Sequence, residues 1–325
     1  MPDNSAILYA ATINGDGSGT RLSQDDASSR AREDALAWVH LDGRHPDTRR
    51  WIETELDYLD PLAVDALLAE ETRPRLVEFE RGALLILRGV NLNQDAQPED
   101  MVSIRLWVDA HRIVSVQLRT LKAVRDIQDR LDAGTGPTHS GDFVATLSAR
   151  LFERMEPVMT DLHVALDDVE EEVMDSPSVE ARQTIVTLRR QAIIFRRYFA
   201  PQRDVVAQLR ALDFAWIDVP AKRRLQENLD RITRYLEDLD AIRERAQIVK
   251  DELANALADR MNKTLYVLSL VAAIFLPLGF LTGLLGINVG GMPGAASGSA
   301  FWIVTGMMAA IGAGQVLFFR LMKWL

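Results

Sequence analysis

The chain has 325 residues, no cysteine, and a formal net charge of −10 with a pI near 5.1. Without cysteine there are no disulfides and no thiolate metal site, and the acidic balance argues against a nucleic-acid partner. The mean hydropathy of −0.03 conceals an uneven distribution, because no charged residue stands between Lys263 and Arg320.

The N-terminus, Met1-Pro2-Asp3-Asn4-Ser5, has no basic region followed by an apolar core, so no signal peptide is expected. The first portion reads as mixed α/β. Leu36–Leu41 has strand character, and Asp60-Pro61 opens a short helix through Leu62, Val64, Leu67 and Leu68, with proline at its first position. Arg75–Phe79, Ala83–Val90, Val102–Val108 and Arg112–Gln117 are β-branched and alternating, with short turns between them, which predicts hairpins in a mixed sheet.

From about Asp142 the pattern becomes helical. Phe143, Leu147, Leu151, Leu162, Leu166, Val169 and Val173 follow one another at helical spacing, and Pro157 is expected to kink that helix. Asp175-Ser176-Pro177-Ser178 ends it and caps a second helix running towards Leu209, giving an antiparallel hairpin. After Pro220 a heptad-like seam begins: Leu225, Leu229, Ile232, Leu236, Leu239, Ile242, Ala246, Val249, Leu253 and Leu257. Neither proline nor glycine interrupts 221–276. One helix of about 65 residues, about 100 Å long, is therefore expected to run into the uncharged region.

The uncharged region holds two apolar stretches, Leu265–Leu285 and Phe301–Phe319, separated by a Gly-rich hinge. Each is long enough to span a hydrocarbon core of ~30 Å as a helix. Arg260 and Lys263 precede the first and Arg320 and Lys323 follow the second, so both termini are expected on the cytoplasmic side. Along the first span, Asn262, Leu265, Ser269, Ala272, Leu276, Gly279 and Gly283 share one face. Small residues there permit close helix packing around an axis, and the leucines can act as constrictions. A plain helix-dimer contact through Gly279 and Gly283 fits the same pattern. Pro277 loosens the helix near Ala273, as a gating hinge or a tolerated kink. Asn288 offers a neutral oxygen at the outer end of the face, where a ring of such groups would hold a hydrated cation weakly. One pair of spans cannot enclose a pore, so transport through it requires an oligomer.

Met261-Asn262-Lys263-Thr264-Leu265, Phe275-Leu276-Pro277, Thr282-Gly283-Leu284-Leu285-Gly286-Ile287-Asn288 and Met292-Pro293 together resemble the C-terminal signature of the CorA superfamily of divalent-cation transporters. Magnesium members typically read Tyr-Gly-Met-Asn at the pore mouth. Here Leu285-Gly286-Ile287-Asn288, the following glycines and the ending Met322-Lys323-Trp324-Leu325 are similar to the zinc-transporting ZntB branch. Gly294 stands where many magnesium members place an acid after Met-Pro. The resemblance implies a homopentamer in the bacterial inner membrane, with a pore lined by Asn288, Gly283, Gly279, Leu276, Leu268 and Leu265. Gly286 and Ile287 complete its mouth, with Pro277 the candidate hinge beside it. It implies Zn²⁺ as the transported substrate, with other divalent cations and protons as further partners, uptake as the direction, no cofactor and no enzymatic activity. A Mg²⁺/Co²⁺ channel and a membrane-anchored coiled-coil scaffold are the alternatives.

The resemblance implies an α/β cytoplasmic domain plus a long coiled-coil-like helix running into two C-terminal transmembrane helices. The expected boundaries are 1–140 for the α/β domain, 141–219 for the helical hairpin and 220–263 for the cytoplasmic part of the long helix. The spans are expected at 264–286 and 301–320, with an external loop at 287–300 and a cytoplasmic tail at 321–325. Resident metal ligands are not evident. His40, His45, His111, His139 and His163 include no pair at helical zinc spacing; convergence of His40 and His45 across a turn is the one alternative, and solvated or structural histidines are expected instead. Asp251, Glu252 and Asp259, close to the membrane, are candidates for attracting cations. The acidic run Asp167–Asp175 reads as a solvated face or, less simply, as a metal-attracting surface.

Overall fold

The computed structural model describes residues 5–30, 35–287, 294 and 297–323, and these divide into two compact units, Met1–Lys250 and Asp251–Leu325. In the first unit, β1 (Ile7–Ile13) and β2 (Gly19–Arg21) form a hairpin whose turn places Gly15 and Gly17 at φ of 81° and 89°. That left-handed region is open to glycine without a Cβ penalty. The Asp16 carboxylate accepts the Ser18 amide at 2.8 Å and closes the turn.

The chain continues through α1 (Gln24–Arg30), β3 (Ala37–Asp42), α2 (Thr48–Glu55) and α3 (Pro61–Leu68). Asp60 caps α3, its side chain accepting from the Leu62 amide, and Pro61 stands at the first turn as expected. Four strands follow: β4 (Arg75–Glu78), β5 (Gly82–Gly89), β6 (Val102–Asp109) and β7 (Arg112–Gln117). The seven strands make one sheet in the order β2-β1-β3-β7-β6-β5-β4, with β3–β7 its parallel pair and the other pairs antiparallel.

Alternation along β3 sends side chains to two covered faces. Val39 and Leu41 join Ile52, Leu56, Leu67 and Trp107 in a core beneath α1–α3. Trp38 points to the other face and meets Phe143 of α5 (Ser140–Glu153), with ring centroids 4.9 Å apart. Every residue of β6 is buried, as a strand covered on both faces requires. α4 (Lys122–Asp132), for which no expectation was formed, packs through Ala123, Val124, Ile127 and Leu131.

The remaining helices are α6 (Glu156–Asp175), α7 (Val179–Ala211), α8 (Val219–Leu285) and α9 (Ala300–Leu321). Pro157 does not kink a continuous helix. α5 ends at Glu153 and Pro157 sits in the first turn of α6, where its missing amide proton has no intrahelical acceptor to lose. Ser178 caps α7 through the Ala181 amide, and α6 packs on α7 as a hairpin. Beyond the end of β4, the edge of β5 is finished by α7. The buried Gln202 side chain accepts the Arg88 amide at 2.6 Å and donates to the Arg88 carbonyl at 2.9 Å, as a neighbouring strand would.

α8 is continuous over 67 residues. Its seam is buried from Leu225 to Val249 against helices of its own chain: Asn228 donates to the Ala145 carbonyl and Tyr235 to the Phe152 carbonyl, both on α5. Arg224 pairs with Asp142 of α5, and Arg196 of α7 pairs with Asp240 at 2.7 Å. The heptad pattern therefore records an intramolecular core over this stretch. Asn228 takes a buried position where the seam was read through Leu229, which is half-buried.

Candidate functional site

In the second unit, the apolar part of α8 packs on α9 as an antiparallel pair. Leu270, Ile274, Leu278 and Leu281 are the half-buried residues of that part of α8, and they recur every three or four positions. Val304, Met308, Ile311, Gly312, Gln315 and Phe319 form the matching stripe on α9, and Leu278 approaches Gly312. Loss of a side chain at Gly312 brings the helices close, as small residues do in membranes.

The residues anticipated for the pore lie elsewhere on α8. At about 100° per residue, Leu265, Leu268, Leu276, Gly279 and Gly283 centre on the side opposite the stripe that meets α9. They are uncovered in the protomer: Leu276 is 76% exposed, and a Cβ added at Gly279 or Gly283 would meet no atom within 4 Å. Each protomer thus leaves a continuous face of leucine and glycine without an intramolecular partner. Gly286 ends the helix, its amide bonding to Thr282 and Gly283 carbonyls at 2.9 and 3.2 Å, and Ile287 follows, exposed. Asn288 lies outside the described residues.

Pro277 sits inside α8 without breaking it. Its missing N–H would otherwise have bonded to the Ala273 carbonyl. Gln315 of α9 supplies a substitute: its Nε2 donates to the Ala273 oxygen at 3.4 Å. Sequence reading identified the freed carbonyl but not its partner, because a lone glutamine in an apolar helix names no acceptor.

The expected cation-attracting residues Asp251, Glu252 and Asp259 are exposed along α8. The acidic run of α6 is in part structural. Arg245 bridges Asp167 at 2.7 Å and Glu170 at 2.5 Å, and Glu172 accepts the Ser178 hydroxyl at 2.6 Å. Hydrogen bonds that it donates to Glu170 and then to Asp167 hold the Arg245 guanidinium further towards its charged form than usual. His40 and His45 do not meet: buried His40 bonds through Nδ1 to the Ser115 hydroxyl at 2.7 Å, while His45 Nδ1 accepts the Asp47 amide. His139 caps α5 and lies 3.2 Å from Asp218. Among the described residues no group of three or more His, Asp or Glu side chains is arranged to hold a metal ion.

A seven-stranded α/β unit, a helix continuing from it into an uncharged region and a closing apolar helix define a membrane protein. Residues 33–321 match the family model described as CorA-like Mg2+ transporter protein, and the chain belongs to that family. It is 38% identical to the divalent cation transporter CmaX of Pseudomonas aeruginosa, over 99% of this chain and 98% of that one. It is 35% identical to the zinc transport protein ZntB of Yersinia enterocolitica, over 99% and 97% of the two chains. The fold superposes on the structure of full-length CmaX with a TM-score of 0.84 at 37% identity, covering 98% of each chain. It also resembles the CorA magnesium transporter from Methanocaldococcus jannaschii, with a TM-score of 0.81 over 98% of this chain and 99% of that one. At 16% identity the second likeness concerns the fold.

Proposed function

We propose that the protein is a homopentameric transporter of divalent cations in the bacterial inner membrane, with both termini in the cytoplasm. Zn²⁺ is its preferred substrate and proton-coupled uptake its mode. The observation that carries this reading is the uncovered Leu265–Leu268–Leu276–Gly279–Gly283 face, opposite the stripe that α9 covers. Around an axis, five such faces would set leucine constrictions between glycine-lined segments, with the neutral Asn288 at the mouth. The flanking Arg260, Lys263, Arg320 and Lys323 support the orientation. No carboxylate lies between the two flanking clusters, so cations would be held at the mouth by neutral oxygens, weakly enough to leave again. The Gly286-Ile287 step and the relatives named as zinc transport proteins favour Zn²⁺.

A passive Mg²⁺/Co²⁺ channel is the second reading, favoured by the higher identity to a relative named only as a divalent cation transporter. Uptake of Zn²⁺ and of Mg²⁺ into proteoliposomes, with and without an imposed pH gradient, separates the two. Zn²⁺ flux that rises with the gradient supports the first. Mg²⁺ flux indifferent to it supports the second. Asn288→Ala should change flux in either case while leaving the assembly intact, and flux unaffected by it would remove Asn288 from the pathway.

A further inference from the structure

Six arginines of this acidic chain, Arg44, Arg73, Arg88, Arg119, Arg190 and Arg197, line one cleft of about 1290 Å³ in the first unit. Four carboxylates, Glu70, Glu71, Glu99 and Asp100, share its wall. Elsewhere in this unit Arg21, Arg49, Arg50, Arg112, Arg150, Arg154, Arg196, Arg224 and Arg245 are among the arginines that reach a carboxylate within 4.0 Å, while others, such as Arg75, Arg81, Arg125 and Arg182, stand apart from one another. What sets the cleft arginines apart is that six of them share one space. None of the six forms an ion pair with a carboxylate among the described residues, although the acids that could neutralise them line the same space.

The local surplus is reinforced from beneath. Arg88 is committed to the carbonyls of Thr72 and Met101, at 3.0 and 2.8 Å, and lies over the Tyr198 ring, 4.4 Å from its centroid. Arg105 is fully buried on β6, two residues from the cleft residue Ser103 and on the same face of the strand. Its Nη2 donates to the Ala69 and Glu70 carbonyls, whereas its Nε and Nη1 have no partner among the described residues. Burial and then repulsion from Arg88 lower the Arg105 pKa to about 10, and Arg88 itself is lowered by burial, with Tyr198 and Glu71 opposing and Arg197 and Arg119 adding to the shift. A protein holds like charges together at a cost, and a bound anion offsets that cost.

We infer that this cleft binds a multiply charged phosphate compound from solution, of the class of pyrophosphate or the polyphosphate tail of a nucleotide. Planar guanidinium groups pair with phosphate oxygens two bonds at a time, and several converging forks select charge density over a single carboxylate. The cleft is wide enough to admit a ligand with two or three linked phosphate groups. Arg88 holds the floor through its carbonyl bonds, exposed Arg44 and Arg119 stand at the rim, and exposed Arg197 donates to the Tyr198 hydroxyl at 3.0 Å beside it. All lining residues belong to the first unit, hence a water-soluble ligand. The inference stands independently of the transport reading.

The test is a calorimetric titration of the full-length protein in detergent with sodium pyrophosphate, in EDTA and about 0.15 M salt so that long-range attraction is screened. Saturable binding is expected, weakened by at least about tenfold in the Arg119→Gln/Arg197→Gln variant and unchanged in Arg203→Gln, whose arginine pairs outside the cleft. ATP titrated in parallel shows whether a nucleoside is tolerated. If the double variant fails to fold, Arg44→Gln, on an exposed turn, replaces it and is expected to weaken binding several-fold. No saturable binding of either compound, or equal affinity in wild type and the cleft variants, overturns the assignment.

Discussion

The Gln315 side chain donates to the Ala273 carbonyl, the one acceptor that Pro277 deprives of its helical donor. A defect in α8 is thus answered from α9, and the answer also ties the two membrane helices together. The hinge anticipated at Pro277 is therefore braced within the protomer, and any bending there must first release Gln315.

This dependence is testable as a thermodynamic cycle. Gln315→Leu should destabilise the helix pair by about 1 kcal/mol, as interhelical hydrogen bonds in membranes do. Pro277→Ala restores the amide donor to Ala273, and in that background Gln315→Leu should cost markedly less. Denaturation in mixed micelles measures both, and equal costs in the two backgrounds would disprove the coupling.

Gly283→Leu probes the uncovered face. A Cβ added there meets no atom within 4 Å in the protomer, so each subunit should fold as before. In an assembled pore the same change should narrow the path and reduce cation flux by more than about tenfold, because five bulky groups would meet at one level. Ile274→Val, on the stripe facing α9, should leave flux nearly unchanged. Uptake into proteoliposomes compares the two, with circular dichroism as the control for folding.

Gln202 closes the β5 edge. Gln202→Leu preserves size but leaves the amide and carbonyl of Arg88 unpaired in a buried setting, with an expected loss of about 2 kcal/mol in the first unit. Hydrogen exchange at Arg88 should accelerate in the variant before exchange at the centre of β6 does.

His40 sets an acid limit. Burial, its largest influence, lowers its pKa from 6.5 to about 4. Between those values the unfolded chain takes up a proton that the folded protein refuses, so stability falls as pH drops from 6.5 towards 4. For one fully buried group the loss over that window is about 3 kcal/mol. Unfolding of His40→Gln should show a shallower pH dependence there, by about 1.4 kcal/mol per pH unit at most. An unchanged slope would mean that His40 is not held neutral by its surroundings.

Much of this architecture was legible in the sequence because it depends on short-range chemistry. β4 to β7 were readable from alternation and turns, α3 from Asp60-Pro61, and the two spans from the absence of charge between Lys263 and Arg320. β1, β2 and α4 were not read: β1 carries alanines and threonines between its larger residues, and β2 has only three residues, so neither shows a strong period. The break between α5 and α6 was read as a kink at Pro157, because proline both kinks and starts helices; buried Phe152 and Met155 mark where the chain changes direction.

By itself the sequence determined the membrane-spanning helices, the continuity of α8 and the leucine–glycine face, since hydropathy and helical period are local properties of the chain. The tertiary structure alone decided what fills each gap: that Gln315 serves Ala273, that Gln202 stands in for a strand, that Arg245 claims Asp167 and Glu170, and that six arginines meet in one cleft. Those partners lie on different elements, in several cases far apart in sequence, and no local period brings them together. They meet because burying the apolar faces fixes where each element lies, and the polar groups must then satisfy one another within the space that remains.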